Sequence, residues 1–132
     1  MRRSWWLASD QGGLFGARLF FCVGQGRRGA ARNVEIVEMF TFHTDAGHGW
    51  LEVSGTQLVT LGLSPRDFTR YSYRSRDGSR FYLEEDCDAE LFATRWRLHY
   101  SGREFGTVER RANGSSFIRR LPRIHDLDEG AR

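Results

Sequence analysis

The sequence predicts an α+β fold: a small single domain with two β-hairpins and a C-terminal strand or hairpin, packed with one main helix and one short helix. Three observations predict it. Apolar residues alternate from Phe40, an Asp-Gly turn separates two short apolar runs, and a later segment has helical spacing. The 132-residue chain is 39% hydrophobic and 14% aromatic, which is enough apolar surface for one core.

The first hairpin is predicted around a turn at residues 45–47. Phe40 and Phe42 alternate with more polar neighbours before this turn, and residues 50–53 form a second strand-like run after it. Asp and Gly in the turn favour the backbone conformations that a tight reversal needs.

A short helix and a single helical turn are predicted next. Ser54 followed by Gln57 matches a capping box, in which each side chain accepts a hydrogen bond from the other residue's backbone N–H. Gly62 marks the end of this helix. Residues 64–67 resemble a second helical start because Pro65 stands at a position where its missing N–H has no cost.

The second hairpin is predicted around Asp77 and Gly78, a pair that favours a two-residue type I′ turn. In that register Tyr73 lies opposite Tyr82. Phe81 and Leu83 then point to the other face, and we assign them to the core.

Asp86 or Asp88 is predicted to cap the main helix, which runs to about Tyr100. A strand is expected at residues 105–110 and a final strand at residues 116–121. The predicted core comprises Phe42, Trp50, Leu58, Phe81, Leu83, Phe92 and Trp96.

The sequence divides into three parts. Residues 1–38 are rich in Gly and Arg and contain six Arg against three acidic residues. They are predicted to be a disordered or non-native N-terminal extension. Met39 is an in-frame alternative start. Residues 39–123 are predicted to be the compact domain, and residues 124–132 a flexible acidic tail. Mass spectrometry of the natively expressed protein tests the first boundary.

Composition excludes some functional classes. All twenty basic residues are Arg, so chemistry that requires a lysine amine is absent. Fourteen Arg balance fourteen acidic residues in the predicted domain, which weakens the case for general nucleic-acid binding. Cys22 and Cys87 lie on opposite sides of the boundary at residue 38, which favours a reduced cytoplasmic setting, and no apolar run is long enough for a membrane span.

One group of residues has the chemistry of a metal site. His43, Asp45 and His48 surround the tip of the first hairpin, where two imidazoles and a carboxylate could hold zinc or iron. The alternative is that these are ordinary polar turn residues. Our preferred interpretation therefore includes no cofactor, and a divalent metal is the alternative.

Two charged segments could form a partner-binding surface. Five carboxylates fall within residues 84–90, more than capping of one helix requires. They could bind a basic partner or pair internally with arginines near the C-terminus. The residues concerned are Glu84, Glu85, Asp86, Asp88, Arg119, Arg120 and Arg123.

The same arginines also permit a nucleic-acid alternative. With Arg110 and Arg111 they could contact phosphates, and Tyr71, Tyr73 and Tyr82 could stack on bases. Tyrosines facing each other across a hairpin also serve as cross-strand packing, which is the competing interpretation.

Three segments carry a resemblance: FTFHTDAGHGWLEV at residues 40–53, YLEEDCD at 82–88 and FIRRLPR at 117–123. They resemble a family of small uncharacterised bacterial proteins, some found on phages and plasmids. The likeness covers residues 39–123. It implies a bacterial or mobile-element origin and an accessory role, and it brings no activity, substrate or catalytic residue.

The preferred functional prediction is a non-enzymatic protein-interaction module in the bacterial cytoplasm. One alternative is a metal-dependent enzyme that uses His43, Asp45 and His48. The other is an Arg-mediated nucleic-acid binder. The sequence leaves the partner and the oligomeric state open.

Overall fold

A computed structural model describes residues 17–19 and 36–126 of the chain. These residues form a mixed β-sheet with one main helix, which confirms the predicted α+β class. The strands are β1 (Ala17–Leu19), β2 (Ile36–Thr44), β3 (Gly49–Ser54), β4 (Tyr73–Arg74), β5 (Arg80–Glu84) and β6 (Glu104–Arg111), in the order β1-β6-β2-β3-β5-β4. The helices are α1 (Gly55–Thr60) and α2 (Asp88–His99), with 3-10 turns at Pro65–Asp67 and Phe117–Arg120.

The first predicted hairpin is the pair β2 and β3. Phe42 lies opposite Leu51 and His43 opposite Trp50, so the reversal occupies residues 45–48. Alternation places Phe42 and Leu51 on the face covered by α2, and His43 and Trp50 on the other face. β6 runs parallel to β2, and every other strand pairing is antiparallel.

The predicted capping box is present at the start of α1. Ser54 Oγ accepts a hydrogen bond from Gln57 N at 3.2 Å, and Gln57 Oε1 accepts one from Ser54 N at 2.7 Å. Leu58 is buried on the inner side of this helix. Gly62 follows with a φ of +71°, a conformation that glycine adopts without a steric penalty.

The second hairpin confirms the predicted register, because Tyr73 pairs with Tyr82. The prediction of a type I′ turn is wrong. Gly78 has a φ of +75°, but Asp77 does not have the positive φ that this turn requires. The Asp77 carboxylate instead accepts hydrogen bonds from Ser79 N at 3.0 Å and from the Ser75 hydroxyl at 2.6 Å, and this local network holds the wider loop.

All seven predicted core residues are buried, but the sheet has a core on each face. On the first face, Phe92 and Trp96 of α2 pack against Phe40 with ring centroids 5.6 and 5.3 Å apart. On the second face, a smaller cluster contains Trp50, Tyr73, Tyr82 and Ile118.

The segment predicted as a final strand at residues 116–121 is a 3-10 turn, Phe117–Arg120. Ser116 Oγ accepts a hydrogen bond from Ile118 N at 3.3 Å, which starts the turn locally. Ile118 is fully buried in the second core. Ile118 thus anchors the turn on this face, and the chain then reaches β4 at the isolated bridge between Tyr73 and Arg123.

The packed body continues past both predicted limits of the domain. β2 begins at Ile36, before Met39, and β1 adds Ala17–Leu19 at the sheet edge. Ile124, assigned above to the tail, is fully buried in the first core. The rest of the predicted extension, Cys22 included, and residues 127–132 of the predicted tail lie outside the described residues. Within the described part of the chain, no helix has the length and apolarity to cross a bilayer.

Candidate functional site

Asp45 is the structural centre of the first hairpin loop. Its Oδ1 accepts hydrogen bonds from Gly47 N and His48 N, both at 2.9 Å, and its Oδ2 accepts one from Ser116 N at 3.1 Å. Arg119 donates to both oxygens, at 2.6 and 3.0 Å. The Arg119 guanidinium holds the pKa of Asp45 well below its usual range. This carboxylate ties the loop to the C-terminal segment.

His43 belongs to the second core. Its Nε2 lies 2.6 Å from Glu52 Oε2, and its ring packs edge-on against Tyr82 and Phe117. The Asp45 carboxylate accepts a hydrogen bond from Arg119, whereas His48 is exposed at the end of the loop. Within residues 36–126, the structure therefore does not bring His43, Asp45 and His48 together as one group of ligand atoms.

His48 instead lies next to Glu84 and Glu85. One ligand atom of each residue falls within 4.8 Å of the other two. Two contacts set this arrangement: β5 pairs with β3, and Glu85 N donates to Gly49 O at 3.0 Å just beyond the end of that ladder. The sequence contained both segments, but their proximity depends on a strand pairing that no local pattern specifies.

His48 and Glu85 line an open pocket of about 380 Å³. Thr44 and the hairpin loop form one side, and β6 supplies the opposite side. The ionisable side chains that line it are those of Asp45, His48, Glu85, Glu109 and Arg111. Glu109 is held in place from within the pocket wall, because Thr44 Oγ1 donates to it at 2.9 Å.

The electrostatics of Glu84 and Glu85 differ from those of Asp45. Burial raises the pKa of Glu85 to about 7, and the adjacent charges of Asp86 and Glu84 act in the same direction. Burial also raises the pKa of Glu84. In the part of the chain that the structure describes, neither carboxylate has a cationic partner.

The acidic residues at 84–90 were predicted to pair with arginines near the C-terminus, but the ion pair of that C-terminal segment is made with an acid outside this run. Arg119 pairs with Asp45, not with the acidic run. Arg123 lies over the Tyr73 ring, 4.4 Å from its centroid, and Arg120 is exposed. Arg119 and Arg123 therefore have structural contacts, an ion pair and a tyrosine ring. Among the described residues, Arg120 has neither kind of contact.

Neither Asp86 nor Asp88 caps α2. The cap residue is Cys87, whose side chain makes no capping hydrogen bond, and Glu84 Oε2 accepts hydrogen bonds from Asp86 N at 3.0 Å and Cys87 N at 3.3 Å just before the helix. Asp88 is buried, 2% exposed, and accepts hydrogen bonds from the backbone and hydroxyl of Thr69. Its carboxylate therefore points into the protein and is removed from the proposed partner surface.

The aromatic residues of the nucleic-acid alternative are divided between surface and core. Tyr73 and Tyr82 are both 7% exposed and pack in the second core, so their rings are not accessible for stacking on bases. Tyr71 is exposed, as are Arg110 and Arg111 at the end of β6. The cross-strand packing alternative describes the first two tyrosines.

Comparison with known proteins gives no functional assignment. No protein-family model matches the chain, and neither the curated proteins nor the solved structures contain a significant match.

Proposed function

We propose that this protein is a non-enzymatic interaction module of the bacterial cytoplasm, of accessory or mobile-element origin, that binds a basic segment of a protein partner. The binding surface is formed by Glu84, Glu85 and Asp86, here called the acidic surface. The single observation that supports this proposal is that Glu85 lines an open pocket with Glu84 beside it, and that neither carboxylate has a cationic partner among the described residues.

The physical argument is the cost of adjacent carboxylates. Asp86 and Glu84 raise the pKa of Glu85 in addition to the effect of burial, which means that the charged form is held at a disadvantage. A guanidinium or ammonium group from a partner removes this disadvantage and forms charge-assisted hydrogen bonds. Arg119, which reaches the same hairpin loop, is already paired with Asp45.

Titration calorimetry with the full chain tests the proposal. The probe is a short arginine-rich peptide, and a glutamate-rich peptide of equal length is the negative control. Glu85→Gln should weaken arginine-peptide binding about fivefold, since one partly exposed charged contact contributes about 1 kcal/mol.

The matched control is Glu38→Gln, which removes one exposed carboxylate near the other end of β2. This variant should bind the arginine peptide as the wild type does. If the wild type does not bind the peptide, or if both variants lose the same affinity, the proposal is wrong.

A further inference from the structure

We infer that His48, Glu84 and Glu85 form a binding site for a divalent transition-metal ion of the zinc type. This inference goes beyond the proposed partner binding, and it uses a different set of residues from the metal site that the sequence predicts. It rests on the convergence of an imidazole and two carboxylates from two separate segments, the hairpin loop and the end of β5.

The distances are compatible with coordination after small side-chain movements. Three ligands on one tetrahedral zinc ion lie about 3.3 to 3.6 Å apart, given bonds of about 2.0 to 2.2 Å. The three ligand atoms here lie within 4.8 Å of one another. His48 is exposed and Glu85 is half-buried, so both side chains have room to close this difference.

Glu84 provides a fixed ligand. Its side chain belongs to a residue that is only 7% exposed, and its Oε2 is held by the backbone N–H groups of Asp86 and Cys87. Its Oε1 accepts no hydrogen bond from any residue in the described ranges. A carboxylate oriented by such contacts while one oxygen stays available is the arrangement found around metal ligands.

The charge of the site also favours a cation. Two carboxylates adjoin each other beside an imidazole, and among the described residues neither carboxylate has a cationic partner. A divalent ion compensates both negative charges at once. The open pocket leaves the remaining coordination positions accessible to water or to a side chain of a partner.

The ligand types select among metals. An imidazole nitrogen with two carboxylate oxygens suits zinc and similar first-row ions, whereas calcium and magnesium prefer sets composed of oxygen alone. We therefore expect Zn²⁺ to bind at concentrations at which Ca²⁺ and Mg²⁺ do not.

The experiment is zinc titration of the full chain, purified without a histidine tag and treated with a chelator. One equivalent of Zn²⁺ should bind, and His48→Ala should weaken this binding at least about tenfold. His48 is exposed, so circular dichroism should show an unchanged fold. The matched control is His99→Ala, which removes an exposed imidazole at the far end of α2.

Absence of stoichiometric zinc, or equal losses in His48→Ala and His99→Ala, overturns the metal inference. The arginine peptide separates this inference from the proposed function, because peptide binding requires the carboxylates and not the imidazole. Protein that binds the peptide but no zinc refutes the metal site alone. Protein that binds zinc but no peptide refutes the proposed function alone.

Discussion

Replacing Arg119 with methionine should destabilise the fold by about 2 to 3 kcal/mol, because the Asp45 carboxylate would stay buried without its cation. The Asp45 side chain is 2% exposed, while that of Arg119 is 36% exposed. Loss of a partner from a fully buried pair costs about 3 to 5 kcal/mol, and solvent access to the guanidinium reduces that figure. Methionine retains an apolar stem near Trp50, which Arg119 also contacts.

Urea unfolding of the full chain measures this effect. The corresponding fall in melting temperature is about 10 to 20 °C for a domain of this size. A double-mutant cycle with Asp45→Asn isolates the pair, and a coupling energy below about 0.5 kcal/mol would contradict the assignment of Asp45 as the structural centre of the loop.

The pH dependence gives a second measurement on the same pair. The pKa of Asp45 is held below its usual range in the fold, so its stabilisation is complete above the unfolded value of about 3.9. It is lost as the pH falls below that value. The wild type should therefore lose stability in acid more steeply than the Arg119→Met variant, and parallel pH profiles would refute the argument.

Two further substitutions test local packing by the same unfolding assay. Gly49→Ala should cost about 1 to 3 kcal/mol, because the added Cβ would lie 2.6 Å from the ring of Phe42, which is only 1% exposed. Gly55→Ala is its control and should change stability by less than about 0.5 kcal/mol, because its nearest contact is 3.6 Å away; equal effects at both positions would contradict the steric argument. Ser54→Ala should cost about 1 kcal/mol through loss of the α1 cap, and an unchanged midpoint would show that the cap does not contribute.

Features that depend on neighbouring residues could be predicted from the sequence. The Ser54–Gln57 capping box needs only a spacing of three, and the Tyr73–Tyr82 pair needs only the centre of one hairpin. The prediction of a type I′ turn was wrong although it also depended on neighbouring residues. The hydrogen bonds of the Asp77 carboxylate hold a different loop conformation, and the preference of the Asp-Gly dipeptide does not include them.

Features that depend on distant residues could not be predicted. Asp45 forms an ion pair with Arg119, which lies more than seventy positions later in the sequence. β2 pairs in parallel with β6, and no turn between them specifies that pairing. For the same reason, His48 and Asp45 were grouped by their proximity in sequence, whereas the strand pairing of β3 with β5 places His48 beside Glu84. The site therefore depends on topology, which hydrophobic periodicity does not determine.

The pKa values of Asp45 and Glu85 shift in opposite directions, because the Arg119 guanidinium lowers that of Asp45 and burial raises that of Glu85. The charge of Asp45 adds a smaller contribution to the raised pKa of Glu85. Arg119 donates to Asp45, which is nearly inaccessible to solvent, because an unpaired charge costs more there than at a half-buried position. The fold therefore pairs the carboxylate that water cannot reach and leaves Glu85 beside the pocket without a cation among the described residues, where a cation from outside the chain can bind it.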